Sequence, residues 1–308
     1  MVHGYKGFES DMICQGFQYE VGQTYEHDGN IGLCESGFHF CRKMADVLNY
    51  YNGHNCRYAV VEAIGEVING KDKSVTDRLH IVRELTQEEV FKEMAAGAGI
   101  SLEYSPFPAD EIIQARENGT LDKLLPSGTE FPVRFANGEW NVLVVCRDRD
   151  HTYLVTKYLM TEFFTMNNSM TNEGGWPASD MRKHVQEIYG MLPKDVHKAV
   201  IPMHIRQLTQ GTAVECDDMA FLLSTTNVFG INIWDPSADC DDTQIDIFRE
   251  ASHRKKGRLG ASSASWWWLR SANGNINFTS VTTSGDWTGN FANDANGVVV
   301  GFCIESRT

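Results

Sequence analysis

From Ala261 to Ile304 the chain contains no Lys, Glu, Gln, Met or Pro. Asn stands at 273, 275, 277, 290, 293 and 296, and most of the positions between are Gly, Ser, Thr or Asp. Such residues build turns, so this segment reads as short strands joined by turns. Three apolar pieces anchor it: the run Trp266-Trp267-Trp268-Leu269, the isolated Trp287, and the closing run Val298 to Ile304. Trp267, Trp268, Leu269, Arg270 and Trp287 are expected as a fixed framework. Tryptophan supplies rigid apolar mass for that purpose.

Small polar residues on turns can change without disturbing buried packing. The segment therefore reads as a ligand surface held on a tryptophan base. Its candidate binding residues are Ser263, Ser265, Trp266, Asn273, Asn275, Asn277, Thr279, Thr282, Asp286, Thr288, Asn290, Asn293 and Asp294, all expected to be exposed. The plainer reading, that these residues only make turns, stays open at this point.

The 308 residues are enough for two domains. A net charge of −14 argues against a general nucleic-acid or membrane-surface binder. The basic run His253-Arg254-Lys255-Lys256-Gly257-Arg258 reads as a solvated loop, and so does the acidic stretch 235–246. No apolar export stretch opens the chain, and no apolar run is long enough to span a bilayer. The expected setting is synthesis in a cytosol, with carriage on a virion as an alternative. The cysteines (14, 34, 41, 56, 146, 216, 240 and 303) are expected to be reduced there. Cys146 and Cys303 lie in apolar runs and read as small core residues.

The patterning gives an α+β chain in three parts. Residues 1–85 read as a small α+β domain, with a short helix over 42–51, a central strand over 58–68 and a second strand over 79–83. Residues 86–125 read as a helical connector, starting with a Thr86/Glu89 capping box. Residues 126–308 begin with a hairpin over 141–146 and 153–158. Ser179 then caps an amphipathic helix carrying Met181, Val185, Ile188, Tyr189 and Leu192. A second short helix runs from Pro193 to Val200, and Phe221-Leu222-Leu223-Ser224 reads as a short buried strand.

Several ordered motifs carry a resemblance over 126–308: Trp140-Asn141-Val142-Leu143, Ser179-Asp180-Met181-Arg182, Phe221 to Ser224, Trp267-Trp268-Leu269-Arg270-Ser271, Gly285, and Gly297-Val298. They resemble a domain family of gut bacteria and phages that is similar to the C-type lectin fold of formylglycine-generating enzymes. They also resemble the variable proteins of diversity-generating retroelements. The chain departs from that family at Gly297-Val298-Val299-Val300, where a Gly-Val-Arg-Pro type ending is usual. The resemblance implies a small α+β domain followed by a C-type lectin fold. It also implies a non-enzymatic, receptor-binding role in a phage or prophage. Adenine-directed mutagenesis of Asn-type codons would leave a lysine-free, Asn-rich segment like this one. The partner would be an unknown protein or cell-surface ligand, with no nucleic acid, no membrane insertion, no cofactor and no metal.

Rival readings are weaker. Cys216, Cys240 and Cys303 do not form the close pair of a copper oxidase. Asp235, Asp239, Asp241, Asp242 and Asp246 lack EF-hand spacing. The sugar-binding motifs Glu-Pro-Asn and Trp-Asn-Asp are missing. Residues 5–85 resemble a phage-associated domain of unknown function through Tyr5-Lys6-Gly7-Phe8, Cys14, Tyr19-Glu20-Val21-Gly22, Leu33 to His39 and Val60 to Ala63. Cys14, Cys34, His39, Cys41, His54 and Cys56 could ligate zinc, though without paired spacing. His3-Gly4 and Gly37-Phe38-His39-Phe40 are similar to ADP-ribosyltransferase motifs, for which Glu84 would be the guessed glutamate. An enzyme of that type and a virion structural protein are the alternatives to a binding role.

Overall fold

The computed structural model describes residues 1–308 except His54, Tyr104, Pro236, Ser237, Cys240 and Thr308. The zinc candidate His54 and the cysteine Cys240 thus lie outside the described residues. The chain combines helices with antiparallel sheets, an α+β arrangement. It divides into two compact units, Met1–Glu103 with Gly257–Ser263, and Tyr104–Lys256 with Ala264–Thr308. The helical stretch 86–125 is not a separate connector. Its first helix, Gln87–Gly97, belongs to unit 1, and Ala109–Glu117 and Leu121–Leu124 belong to unit 2.

In unit 1 a four-stranded antiparallel sheet runs in the order Val2–Phe8, Arg57–Ala63, Arg78–Leu85, Thr24–Glu26. Phe8, Tyr19, Phe40, Val61, Leu79 and Ile81 fill its core. The central strand ends at Ala63, five residues earlier than the expected 68. Just beyond its end Gly65 packs against the Asp77 carboxylate, where a Cβ would stand 1.8 Å from an oxygen, so the position admits only glycine. Val67–Asn69 instead joins a second sheet with Ser74–Thr76 and Phe38–Phe40. The helix expected over 42–51 shrinks to Met44–Val47. Thr86 and Glu89 form the expected capping box.

In unit 2 the order is Glu130–Arg134, Trp140–Arg147, His151–Thr156, Gly301–Ser306, so the last strand completes the sheet begun by the hairpin. Ser179 caps the helix Asp180–Gly190 by accepting from the Arg182 N–H, and Met181, Val185 and Ile188 are buried. Phe221 to Ser224 is buried but is not a strand; Phe221 makes a single bridge to Gly301. A hairpin absent from the sequence reading, Met203–Thr209 with Thr212–Asp218, turns at Gln210-Gly211. Cys146 and Cys303 are buried in the core, and the described cysteines are free thiols.

The basic run is not a solvated loop throughout. Lys256 is buried and donates to the carbonyls of Thr156 and Lys157 at 3.1 and 3.0 Å. Arg258 is also buried, and it donates to Asn49 at 3.1 Å within unit 1. No helix among the described residues is long and apolar enough to cross a membrane.

Candidate ligand surface on the C-terminal sheet

The restricted segment folds as a three-stranded antiparallel sheet, Trp267–Asn273, Asn277–Val281, Trp287–Phe291. Its first strand is buried on both faces from Trp267 to Ser271. Buried indoles need partners for their N–H groups. Trp267 donates to the Arg254 carbonyl at 2.9 Å and Trp268 to the Phe164 carbonyl at 2.8 Å. Asn172, fully buried, clamps the first turn by donating to the carbonyls of Gly274 and Asn277 at 3.0 and 2.7 Å.

Arg270 is the pivot. It is almost fully buried, donates to the Leu222 carbonyl at 2.8 Å, and pairs with Asp242. Next to it, Ser271 donates to Asp239 at 2.6 Å, and Asp239 also accepts from Asn232 at 2.8 Å. Burial pushes the Asp239 carboxyl up, and the neighbouring Asp242 adds to this. The acidic stretch is therefore not a solvated loop: two of its carboxylates are tied inward to the Trp267–Asn273 strand.

That tether fixes Trp234. Its indole N–H donates to Thr279 Oγ1 at 3.1 Å, and its ring meets Trp287 edge-on with centroids 4.8 Å apart. Both tryptophans are 40% exposed. Trp287 is thus part of the surface and not the buried framework that was expected. Thr279, expected on the surface, is 0% exposed because Trp234 covers it.

Alternation along an edge strand sorts the remaining candidates. Trp287, Gly289 and Phe291 share one face, and Phe291 is exposed. Asn273 and Asn277 pair across the neighbouring strands. A Cβ on Gly289 would stand 2.5 Å from Asn273 Nδ2 and 3.6 Å from Asn277 Nδ2, so both amides lie on that face. The Asn277 Oδ1 is buried without a hydrogen-bond partner. Thr288 and Asn290 point to the other face, opposite the buried Ser280 and Phe278.

Elsewhere, Thr282 and Asp286 close the second turn. The Thr282 N–H donates to the Asp286 carbonyl at 2.7 Å, and Ser284 links their side chains. Asn275, Asn293 and Asp294 are exposed on turns. Ser265 and Trp266 are at least partly exposed beside the first strand, and Ser263 belongs to unit 1. The gathered site is therefore Trp234, Trp287, Phe291, Asn273 and Asn277.

A family model described as a domain of unknown function, DUF6273, matches residues 149–306, more than half of the 308-residue chain. The chain belongs to the DUF6273 family. All five gathered residues lie within the DUF6273 match. A second model, DUF7666, also described as a domain of unknown function, matches residues 2–93. No curated protein and no solved structure matches this DUF6273 chain.

Glu84 and the described zinc candidates Cys14, Cys34, His39, Cys41 and Cys56 belong to unit 1. No cluster of three or more His, Cys, Asp or Glu among the described residues could hold a metal ion. Glu84 makes a two-point ion pair with Arg57, which holds its carboxyl below the usual range.

Proposed function

We propose that this protein is a non-enzymatic ligand-binding protein whose C-terminal sheet presents the recognition face. One observation carries the reading: two half-exposed tryptophans and an exposed phenylalanine flank a pair of amides, on a sheet whose first two strands are buried from Trp267 to Ser271 and from Phe278 to Val281. Aromatic anchors on a rigid base are what a binding hot spot requires.

We further propose a C-type lectin fold for the C-terminal half and retroelement diversification of the exposed Asn positions in a phage or prophage protein. The lysine-free, Asn-rich composition supports that origin. The test uses the full chain against panels of glycans and intact bacterial cells. A receptor bound by the wild type should be lost in the Trp234→Ala/Trp287→Ala variant, which should still unfold cooperatively at a somewhat lower melting temperature. Equal binding by both proteins would sink the reading. Sequencing the locus across a population separates the two claims. Substitutions should gather at Asn273, Asn275, Asn277 and Asn293 and spare Trp267 and Trp268; an even spread would remove the diversified version alone.

A further inference from the structure

Unit 1 holds a cavity of about 360 Å³, independent of the C-terminal sheet. That volume lies within the range of small-molecule sites. Lys6, on the strand Val2–Phe8, lines it while being only 4% exposed. Its ammonium donates to the His39 carbonyl at 2.8 Å and lies over the Tyr19 and Phe8 rings, 5.1 and 5.8 Å from their centroids. Among the described residues no carboxylate pairs with it. The carboxylate on the cavity lining, Glu35, is exposed.

A buried ammonium is costly unless an anion faces it. Burial alone pulls the Lys6 amine below its usual range. Lys73, also on the lining, adds a second positive charge. Burial, then Lys6 and Lys73, hold the His39 imidazole down in its neutral form, and its Nε2 accepts from the Cys34 N–H at 2.9 Å. The lining carries Lys6 and Lys73 against the exposed Glu35, with Asp72 held on the Tyr50 hydroxyl, so the buried Lys6 end is the positive part of the cavity. Two lining residues, Gln15 and Cys34, are held at φ of 50° and 64°. Non-glycine residues in that region store strain, which concentrates at functional sites.

We propose that this cavity binds a small organic anion, a carboxylate or a phosphate monoester, with its charged end at Lys6 and Lys73 and its apolar body against Tyr50 and Tyr51. The ammonium has three donors and one hydrogen-bond acceptor in the protein, the His39 carbonyl, so donor capacity remains for the ligand. Tyr51 is already engaged, donating to Cys14 at 2.9 Å, and so contributes its ring.

Benzoate and phenyl phosphate are the probes, titrated into the full chain by calorimetry with thermal melts in parallel. The wild type should bind at least one saturably and melt at a higher temperature in its presence. Lys6→Met should weaken binding at least about tenfold while the ligand-free melting temperature holds or rises, since an unpaired charge is replaced by an apolar chain. Lys73→Met, at a less buried position, should weaken binding without affecting the fold and serves if Lys6→Met does not fold. Binding of benzoate alone identifies a carboxylate ligand, and of phenyl phosphate alone a phosphate monoester. No saturable binding of either probe by the wild type, or unchanged affinity in every folded variant, overturns the proposal.

Discussion

The Trp234 ring stands edge-on to Trp287 at 84°, although the two are far apart in the chain. The geometry holds both indoles in place while leaving each exposed enough to meet a ligand. Trp234→Phe keeps the ring edge but removes the N–H that Thr279 accepts. It should cost about 1 kcal/mol, the net worth of one hydrogen bond, and should leave receptor binding within a few-fold of wild type. Trp287→Ala removes an aromatic contact from the exposed edge strand. It should cost a similar amount of stability and abolish binding. Urea unfolding and a binding titration on the same samples would check both expectations.

A second prediction concerns the Arg270–Asp242 pair. Both side chains are buried. Asp242→Asn strips the charge that faces Arg270 and should destabilise by about 3–5 kcal/mol, because an uncompensated buried cation remains. Arg270→Met/Asp242→Leu removes both charges and should recover much of that loss. In the single variant, amide exchange at Asn232 to Asp235 should speed up, since Trp234 loses its tether. Unchanged exchange there would mean that the ion pair does not position Trp234.

Much of the scaffold could be read from local patterns. The Thr86/Glu89 box, the Ser179 cap and the hairpin around Asp148 are each signalled within a few residues, and each is present. What escaped depends on partners distant in sequence. Asp239 and Asp242 look like solvated acids until Arg270 and Ser271 are placed beside them. Trp234 was missed as a site residue for the same reason, as it sits on that tethered loop. Lys256 looks like part of a solvated charge run until the carbonyls of Thr156 and Lys157 close over it. The misassignments of Trp287 and Thr279 have another cause. Alternation shows that neighbours face opposite ways, but not that Trp234 comes down over one face. The hairpin Met203–Asp218 carried only a weak signal, the apolar-polar alternation Met203-His204-Ile205-Arg206 ahead of the turn residues Gln210-Gly211.

A third prediction follows from Glu139. Burial pushes its carboxyl up to about 7, against hydrogen bonds from the Thr161 N–H and hydroxyl at 2.6 and 2.8 Å. The folded chain then holds this proton at pH values where the unfolded chain has released it. Stability is therefore fully retained below the ordinary glutamate value of 4.5 and falls as pH rises towards about 7. The loss should total roughly 3 kcal/mol. Glu139→Gln keeps the acceptor for Thr161 and removes the titration. Its stability between pH 4.5 and 7 should be flatter than that of the wild type, and higher at pH 8, as chemical unfolding at each pH would show.

The last prediction tests whether the amide pair acts together with the aromatic anchors. Gly289 lies between Trp287 and Phe291 on the edge strand, and its missing side chain leaves room for Asn273 Nδ2. An added methyl at 2.5 Å would have to push that amide aside. The obstructing atom ends a flexible, half-exposed side chain, so the sheet itself need not move. Gly289→Ala should therefore change stability by under about 1 kcal/mol while reducing receptor affinity through displacement of Asn273. Asn290→Ala is the matched control, one residue away but on the opposite face. If Gly289→Ala and Asn290→Ala bind alike, Asn273 has no part in recognition.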